Sequence, residues 1–183
     1  YFALYDGSGR YLRDLPFAIN ASAEPRWSKT NVNILYYVKG NQLLQYDVAS
    51  SAQSVAHTFS EYSAITGRGE SDISEDGSRF AFVGDSRQVF LYDMVSGTKS
   101  PVLATGGRSV DGLYVTPNNN LIISWYTQGT ARYNGVEFFN GSMVFQRQLT
   151  TVGGHMDVTR DLNGEEILVW TNSADPRPIC DNG

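Results

Sequence analysis

The sequence predicts an all-β fold made of repeated units of four antiparallel strands. Three observations predict it. Short runs of aromatic and β-branched residues recur along the chain, turn residues separate these runs, and the pattern repeats about every 45 residues. No segment sustains an apolar period of 3.6 residues, so we expect almost no helix. The 183 residues, 41% of them hydrophobic, are enough for one domain with its own core.

Two interleaved series of residues define the repeat. The first is a hydroxyl residue before a polar turn and a hydrophobic strand, and its anchors, 46, 42 and 43 residues apart, are Ser28, Ser74, Thr116 and Thr159. The second is an aromatic residue followed by Asp or Asn, with spacings of 41, 46 and 47 residues, at Tyr5-Asp6, Tyr46-Asp47, Tyr92-Asp93 and Phe139-Asn140. Four strands in such a period form the blade of a β-propeller. The predicted fold is therefore a β-propeller of four-stranded antiparallel blades.

Turn chemistry supports this reading of the repeat. The stretches "SEDGS" at 74–78 and "DLNGE" at 161–165 supply the Asp, Asn and Gly that tight turns need. Asp161 and Asn163 are accordingly predicted to form a turn and not to bind a ligand. The tryptophans fall in inner or second strands, where we expect them to fill space between blades; they are Trp27, Trp125 and Trp170.

One repeat also carries a family resemblance. The stretch "ISEDGSRFAFVGDSRQVFLYDMVSGTK" from Ile73 resembles the WD40-like propeller repeat of the TolB type, whose motif runs roughly W-S-P-D-G-x-x-I-A-F and then I-x-x-x-D. The stretch "RWSKTNVNILYYVKGNQLLQYDV" from Arg26 is a looser copy, with Lys-Thr-Asn in place of Pro-Asp-Gly. The resemblance covers nearly the whole chain and implies the propeller fold. It leaves the function open, because propellers host unrelated activities.

The repeat divides the chain into a single propeller domain, 1–183, with predicted parts. Three blades are expected at 21–66, 67–108 and 109–152, the outer half of a preceding blade at 1–20, and the inner half of a following blade with a tail at 153–183. The two halves could combine into a split blade that closes a four-bladed ring. We favour the alternative, an arc of a larger propeller whose open edges need missing blades or a partner chain.

Composition narrows the function classes. A net charge of −5 argues against a nucleic-acid partner, which requires a clustered basic face. No run of 18 apolar residues exists, so we expect no membrane span. Cys180 is the only cysteine, and it is either a free thiol or the partner of a cysteine outside this chain. We expect an extracellular or periplasmic location.

Candidate site residues come from the loops that enter the innermost strands, since these strands line the channel of a propeller. Counting four places back from the hydroxyl anchors gives Glu24, Glu70, Gly112 (beside Asp111) and His155. Counting two places back gives Arg26, Asp72, Tyr114 and Asp157. Residues more than 40 apart in sequence would converge at one mouth, as functional constellations do.

These residues support three interpretations. Carboxylates suit Ca²⁺, Mg²⁺ or Mn²⁺, and a histidine beside them favours Mn²⁺, which makes His155, Asp157, Asp72 and Glu70 the candidate metal ligands. A carboxylate crowded by others would also have a raised pKa and suit a general base. Alternatively, these side chains hydrogen-bond loop backbone and hold adjacent blades in register. We favour the interpretation in which these side chains hold adjacent blades in register, because channel mouths are polar in any case.

The predicted function is a binding or scaffold module that recognises a glycan, a peptide or a protein partner at the channel rim. One alternative is a metal-dependent enzyme acting on polysaccharide, because oligogalacturonate lyases are similar in using TolB-like blades with a histidine-bound metal. That family gathers several histidines, whereas this chain offers His155 and a predicted surface residue, His57. The other alternative is a structural subunit of an assembly. We favour a protein without catalytic activity, and a divalent cation (Ca²⁺ or Mn²⁺) is the one cofactor we consider.

Overall fold

The computed structural model describes residues 2–15, 25–60, 71–83, 88–100, 103–104, 106–127, 132–150 and 156–170. Within these ranges the chain forms strands and no helix, so none of these residues belongs to a helix able to cross a membrane. The strands are β1 (Ala3–Tyr5), β2 (Tyr11–Asp14), β3 (Arg26–Trp27), β4 (Ile34–Lys39), β5 (Gln42–Asp47), β6 (Ala52–Thr58), β7 (Ser71–Ile73), β8 (Arg79–Val83), β9 (Gln88–Asp93), β10 (Thr98–Lys99), β11 (Leu103–Ala104), β12 (Ser109–Val115), β13 (Leu121–Thr127), β14 (Arg132–Phe139), β15 (Phe145–Thr150), β16 (Met156–Arg160) and β17 (Glu166–Trp170).

The strands form three larger antiparallel sheets and two hairpins. The first sheet has the order β3-β4-β5-β6, the second β7-β8-β9-β10 and the third β12-β13-β14-β15. The hairpins are β1–β2 and β16–β17, which form separate two-stranded sheets in the described residues. The prediction of an all-β fold with four-stranded antiparallel blades is confirmed. Within the described residues, β1–β2 and β16–β17 do not pair with each other as a split blade would require. The sheets lie inside the predicted blade ranges, and the exact limits of those ranges stay predictions.

Two short strands pair with the outer side of β9 in the second sheet. β10 pairs with the end of β9, and β11 pairs with its beginning. Between them, Ser100 keeps the ladder going: its N–H donates to the Leu91 carbonyl at 2.8 Å, and its hydroxyl accepts from the Leu91 N–H at 2.9 Å.

The sheets pack face to face around their first strands. β3 contacts β7, β7 contacts β12, and β12 contacts β16, so the first strands of successive sheets are neighbours, as they are around a propeller channel. Apolar side chains fill the space between sheets. Between the first and second sheets they are Val38, Leu43, Phe59, Ile73, Phe80, Phe82, Phe90 and Tyr92.

The Asp and Asn residues of the second series close the turns that follow β1, β5, β9 and β14. In each turn the side-chain Oδ1 accepts two backbone N–H groups, two to four residues ahead, at 2.8–3.0 Å. This explains the series physically, because Asx turns redirect the chain where a strand must reverse. Asp161 does the same after β16, accepting from Asn163 and Glu165, so the prediction that Asp161 forms a turn is confirmed.

These turns predict a dependence of stability on acid. The N–H of Ser50 and the N–H of Ser96 hold the pKa values of Asp47 and Asp93 below the usual range. A lowered folded-state pKa stabilises the protein above about pH 4, and this stabilisation is lost as the pH falls further. Asn at both positions keeps the acceptor oxygen, as Asn140 does naturally, and removes the titration. We therefore expect urea unfolding between pH 6 and 3 to show a shallower acid loss for the Asp47→Asn/Asp93→Asn variant; parallel curves would contradict this.

The prediction that His57 is a surface residue is wrong. His57 lies on the outer strand β6, as expected, but its Nδ1 is 2.6 Å from the hydroxyl of Tyr92 on the second sheet. Its ring also meets Phe59 edge-on, at 4.6 Å between centroids. The side chain therefore joins two adjacent sheets, a role that only long-range packing reveals.

Candidate functional site

The structure describes five of the eight candidate rim residues, at least in part. Arg26 is on β3, Asp72 on β7, Asp111 and Tyr114 on β12, and the backbone of Asp157 on β16. Glu24, Glu70 and His155 lie outside the described residues.

Arg26 and Asp72 connect adjacent sheets through backbone groups. The Arg26 Nε donates to the carbonyl of Ser71 on β7 at 2.7 Å. The Val115 N–H on β12 donates to the Asp72 carboxylate at 2.8 Å. In the first and the second sheet, one side chain on the first strand thus reaches the first strand of the next sheet. This geometry supports the interpretation in which rim residues hold the blades in register.

The carboxylate of Asp72 is in an unusual environment for an acid. Its residue is 8% exposed. Burial raises the pKa of Asp72, while Lys29, the Val115 N–H and Arg26 oppose that rise. A raised pKa was expected from crowding among carboxylates, but its cause here is loss of water. The group is therefore a buried acceptor between sheets, and the metal and general-base roles remain predictions.

Strand pairing corrects the fourth hydroxyl anchor. Val115 pairs with Leu121 in the third sheet, and Arg160 pairs with Glu166 in the last hairpin. The residue that follows each of these first strands is Thr116 or Asp161, so Asp161 and not Thr159 is the counterpart of the earlier anchors. Asp161 N donates to Glu165 O, just as Thr116 N donates to Asn120 O.

This correction shifts the rim count by two residues. The position four places before the anchor becomes Asp157, and the position two places before becomes Thr159. Two residues along a strand keep a side chain on the same face but move it by about 6.6 Å. Asp157, and not His155, is therefore the counterpart of Glu24 and Glu70.

The described residues hold no group of three or more His, Cys, Asp or Glu side chains able to bind a metal. Two of the four candidate ligands, Glu70 and His155, are outside those residues, and the side chain of Asp157 is not described either. The metal set consequently stays a prediction, and the only member whose contacts are visible, Asp72, already accepts a backbone N–H.

A different surface has the form of a binding site: an open groove beside the last hairpin, called the tail groove below. It has a volume of about 290 Å³ and runs between the outer strands of the third sheet and β17. Its lining residues are Thr116, Ile122, Phe138, Arg147, Leu149, Val158, Glu166, Ile167 and Leu168. Most of this lining is apolar, because β16–β17 covers the inner strands of the third sheet and leaves β14 and β15 partly uncovered.

Two charged side chains flank the apolar floor of the tail groove. The guanidinium of Arg147 lies 5.8 Å from the ring centroid of Phe138. The carboxylate of Glu166 accepts the Asn118 N–H at 2.7 Å and so fastens the last hairpin to the third sheet. The groove thus offers apolar contact in the middle and one charge of each sign at its sides.

β17 adds a free edge to this groove. Among the described strands it pairs only with β16, and two of its side chains are exposed, Ile167 at 38% and Val169 at 57%. The sequence predicted open edges that need missing blades or a partner chain, but none of the eight candidate rim residues lines this groove. The signal was present in "EILVW", an apolar strand for which no following partner strand had been assigned.

Comparison with known proteins agrees with the architecture. No protein-family model matches the chain, and no curated protein sequence matches it. The solved structure of oligogalacturonate lyase in complex with manganese superposes with a TM-score of 0.62 at 13% identity, covering 95% of this chain and 53% of the lyase. The chain has a β-propeller fold.

Two further structures support the same conclusion. The WD40 repeats of RRP9 match with a TM-score of 0.55 at 11% identity, over 85% of this chain and 53% of theirs. A chain of the mitotic checkpoint complex matches with a TM-score of 0.54 at 18% identity, over 82% of this chain and 46% of that one. The present chain spans about half the length of these propellers. Identities this low carry the fold alone.

Proposed function

We propose that the protein is a propeller interaction module that binds a protein partner through the tail groove and the free edge of β17. The observation that carries this proposal is that an apolar groove lies directly beside a strand edge with which no other described strand pairs. WD40 propellers among the similar structures support binding of proteins as a general role for such a fold.

The edge favours an extended segment as the bound element. An exposed strand edge presents unpaired N–H and C=O groups that a peptide strand satisfies by adding itself to the sheet. Alternate side chains of the added strand would then point into the groove, where Phe138, Leu149 and Leu168 provide apolar contact. Main-chain pairing supplies affinity in this mode, and the groove supplies selectivity.

Three finer predictions from the sequence belong beside this proposal. We propose that the repeats are of the TolB type, on the strength of the "ISEDGSRFAFVG" segment. The glycan ligand and the extracellular or periplasmic setting stay predictions. The lyase alternative gains a structural likeness to a manganese-containing enzyme, but its candidate ligands lie mostly outside the described residues.

A display library of random linear peptides tests the binding role. We expect enriched peptides to alternate apolar and polar residues, and to bind the wild-type protein but not the Leu149→Asp variant. Val95→Asp is the matched control, because Val95 is 84% exposed in the β9–β10 turn, away from the groove. Equal binding of the peptides to the wild type and to Leu149→Asp would contradict binding at the tail groove. Failure to enrich any peptide on a Tyr5→Asp variant, whose changed residue lies outside the groove, would contradict it as well.

A further inference from the structure

One aromatic position recurs in every repeat, and it is exposed in only one of them. Tyr46, Tyr92 and Phe139 end the third strands β5, β9 and β14 and are 1%, 3% and 2% exposed. Each packs against the sheet or hairpin that precedes its own, as Tyr92 does against Val38 and Phe59. The fourth member, Tyr5, is 56% exposed. Its three counterparts are each covered by a preceding sheet or hairpin, whereas no described sheet covers Tyr5.

The first strands show the same pattern. Ile73 and Val115 end β7 and β12 and are 0% and 1% exposed, whereas Trp27, at the end of β3, is 44% exposed. A cavity of about 370 Å³ lies beside these exposed rings. We call this surface the head face; its lining residues are Phe2, Ala3, Leu4, Tyr5, Leu15, Pro25, Trp27 and Leu35.

The two hairpins that border the head face and the tail groove correspond to complementary halves of one blade. β1–β2 corresponds to the third and fourth strands of a blade, because Tyr5-Asp6 is the counterpart of Tyr46-Asp47. β16–β17 corresponds to the first and second strands, because Arg160 pairs with Glu166 as Val115 pairs with Leu121. Placed together, the two hairpins would have the strand order found in the three complete sheets.

The pairing register of the complete sheets specifies how β17 would meet β1. The aromatic position pairs with the first residue or the second residue of the second strand: Leu35 with Tyr46, Phe80 with Tyr92, Leu121 with Phe139. Since Glu166 is the counterpart of Leu121, it would pair with Tyr5, and Leu168 would pair with Ala3.

In this register, the side chains of β17 that line the groove would lie on the same face of the sheet as the exposed side chains of β1. Glu166 and Leu168 line the tail groove. Their partners Tyr5 and Ala3 are on the exposed face of β1, whereas Leu4 packs against the first sheet. Tyr5 would therefore enter the groove over Phe138 and Leu149. Ile167 borders the groove but is 38% exposed; it alternates with Glu166 and Leu168 along β17, and would face the same way as Leu4.

We propose that the tail groove is filled by the β1–β2 hairpin of a second copy of this chain. This inference rests on the proposed function, for which it names the partner. The contact continues the sheet-to-sheet packing already present inside the chain, with the same residue positions. In the described residues of one chain the two hairpins are in separate sheets, and a second copy would supply the complementary hairpin in the register derived above.

Two copies joined head to tail in both directions would close a ring. The described residues of each copy contribute three complete sheets, and the two junctions add two composite blades, giving eight blades. Propellers have four to eight blades, so this number is within the range that closes. A heterologous contact of this kind makes a finite assembly only when the rotation closes.

Light scattering on the full chain tests the proposal. We expect a mass twice the 20.2 kDa of one chain, and a single-chain mass for Tyr5→Asp, which places a charge in the apolar groove. Tyr5 is exposed within one copy, so this variant should fold, and its melting curve checks that. Val95→Asp is the control and should keep the double mass. A single-chain mass for the wild type, or a double mass for Tyr5→Asp, would overturn the inference.

Cysteine cross-linking tests the register, in a Cys180→Ser background. Ala3→Cys with Leu168→Cys should give a covalent dimer under oxidation, because these positions pair in the composite blade. Leu4→Cys with Leu168→Cys places the two thiols on opposite faces, and should give little or none. A disulfide within one chain would show ring closure by a single copy and would refute a second copy as the occupant.

The peptide library separates this inference from the proposed function. Tyr5→Asp leaves the tail groove open, so we expect it to bind the enriched peptides at least as well as the wild type. Peptide binding that depends on Leu149, together with a single-chain mass for the wild type, would refute only the second copy. If peptide binding does not depend on Leu149 and the wild type also has a single-chain mass, the groove is refuted as a binding site.

Discussion

Replacing Trp125 by alanine is expected to lower the free energy of unfolding by about 3–5 kcal/mol, the largest effect among single substitutions proposed for this protein. Trp125 is fully buried on β13. Its indole N–H donates to Glu137 at 2.8 Å, and the guanidinium of Arg108 lies 4.1 Å from the ring centroid. Alanine would leave a cavity and remove a hydrogen-bond donor from a mostly buried carboxylate.

Chemical denaturation of Trp125→Ala and Trp125→Phe separates packing from hydrogen bonding. Phenylalanine fills much of the space and keeps a ring under Arg108, but it has no N–H for Glu137. We expect it to cost about 1–3 kcal/mol, since one buried acceptor contact is lost while Arg108 still pairs with the carboxylate at 2.7 Å. An equal loss for both variants would mean that the hydrogen bond, and not the volume, carries the effect.

The strands could be predicted from the sequence because their signals are local. Alternating apolar residues and Asp/Asn/Gly turns act over a few positions, and the repeat made each of them visible several times. The prediction that Thr159 is the fourth anchor was wrong because a local signal can be given by more than one residue type. Hydroxyl and carboxylate oxygens are equally good turn acceptors, so Asp161 fills a place that Ser28, Ser74 and Thr116 fill elsewhere. Only the pairing of Arg160 with Glu166 reveals the register.

The site could be predicted less well because its properties depend on what neighbouring sheets cover. Tyr5 and Tyr46 have the same local sequence, an aromatic residue followed by Asp, yet one is exposed and the other buried. Nothing within either segment decides this; the presence of a preceding sheet does. The rim residues show the same dependence. In the sequence Arg26 and Asp72 are candidate ligand-binding residues, but in the structure each hydrogen-bonds a backbone group of the next sheet.

Asp72 provides the second large expected effect. Alanine at this position would leave the Val115 N–H without its acceptor between two first strands, and we expect a loss of about 1–3 kcal/mol in the free energy of unfolding. Asparagine is the matched control. It keeps an acceptor oxygen and removes the charge that burial disfavours, so Asp72→Asn should be as stable as the wild type or more stable at pH 7.

The pH dependence of this pair separates a tie between sheets from a metal ligand. Burial raises the pKa of Asp72, so its contribution to stability is fully present below about pH 4 and is lost as the pH rises through the folded-state pKa. The stability difference between Asp72→Asn and the wild type should therefore grow from pH 4 to pH 7 in metal-free buffer.

If Mn²⁺ or Ca²⁺ instead raises the melting temperature of the wild type and not of Asp72→Asn, the carboxylate binds the cation, and its contact with Val115 is the secondary role. Our expectation is the opposite: no shift on adding either ion, because the Asp72 carboxylate is engaged by the Val115 N–H and largely enclosed between the first strands.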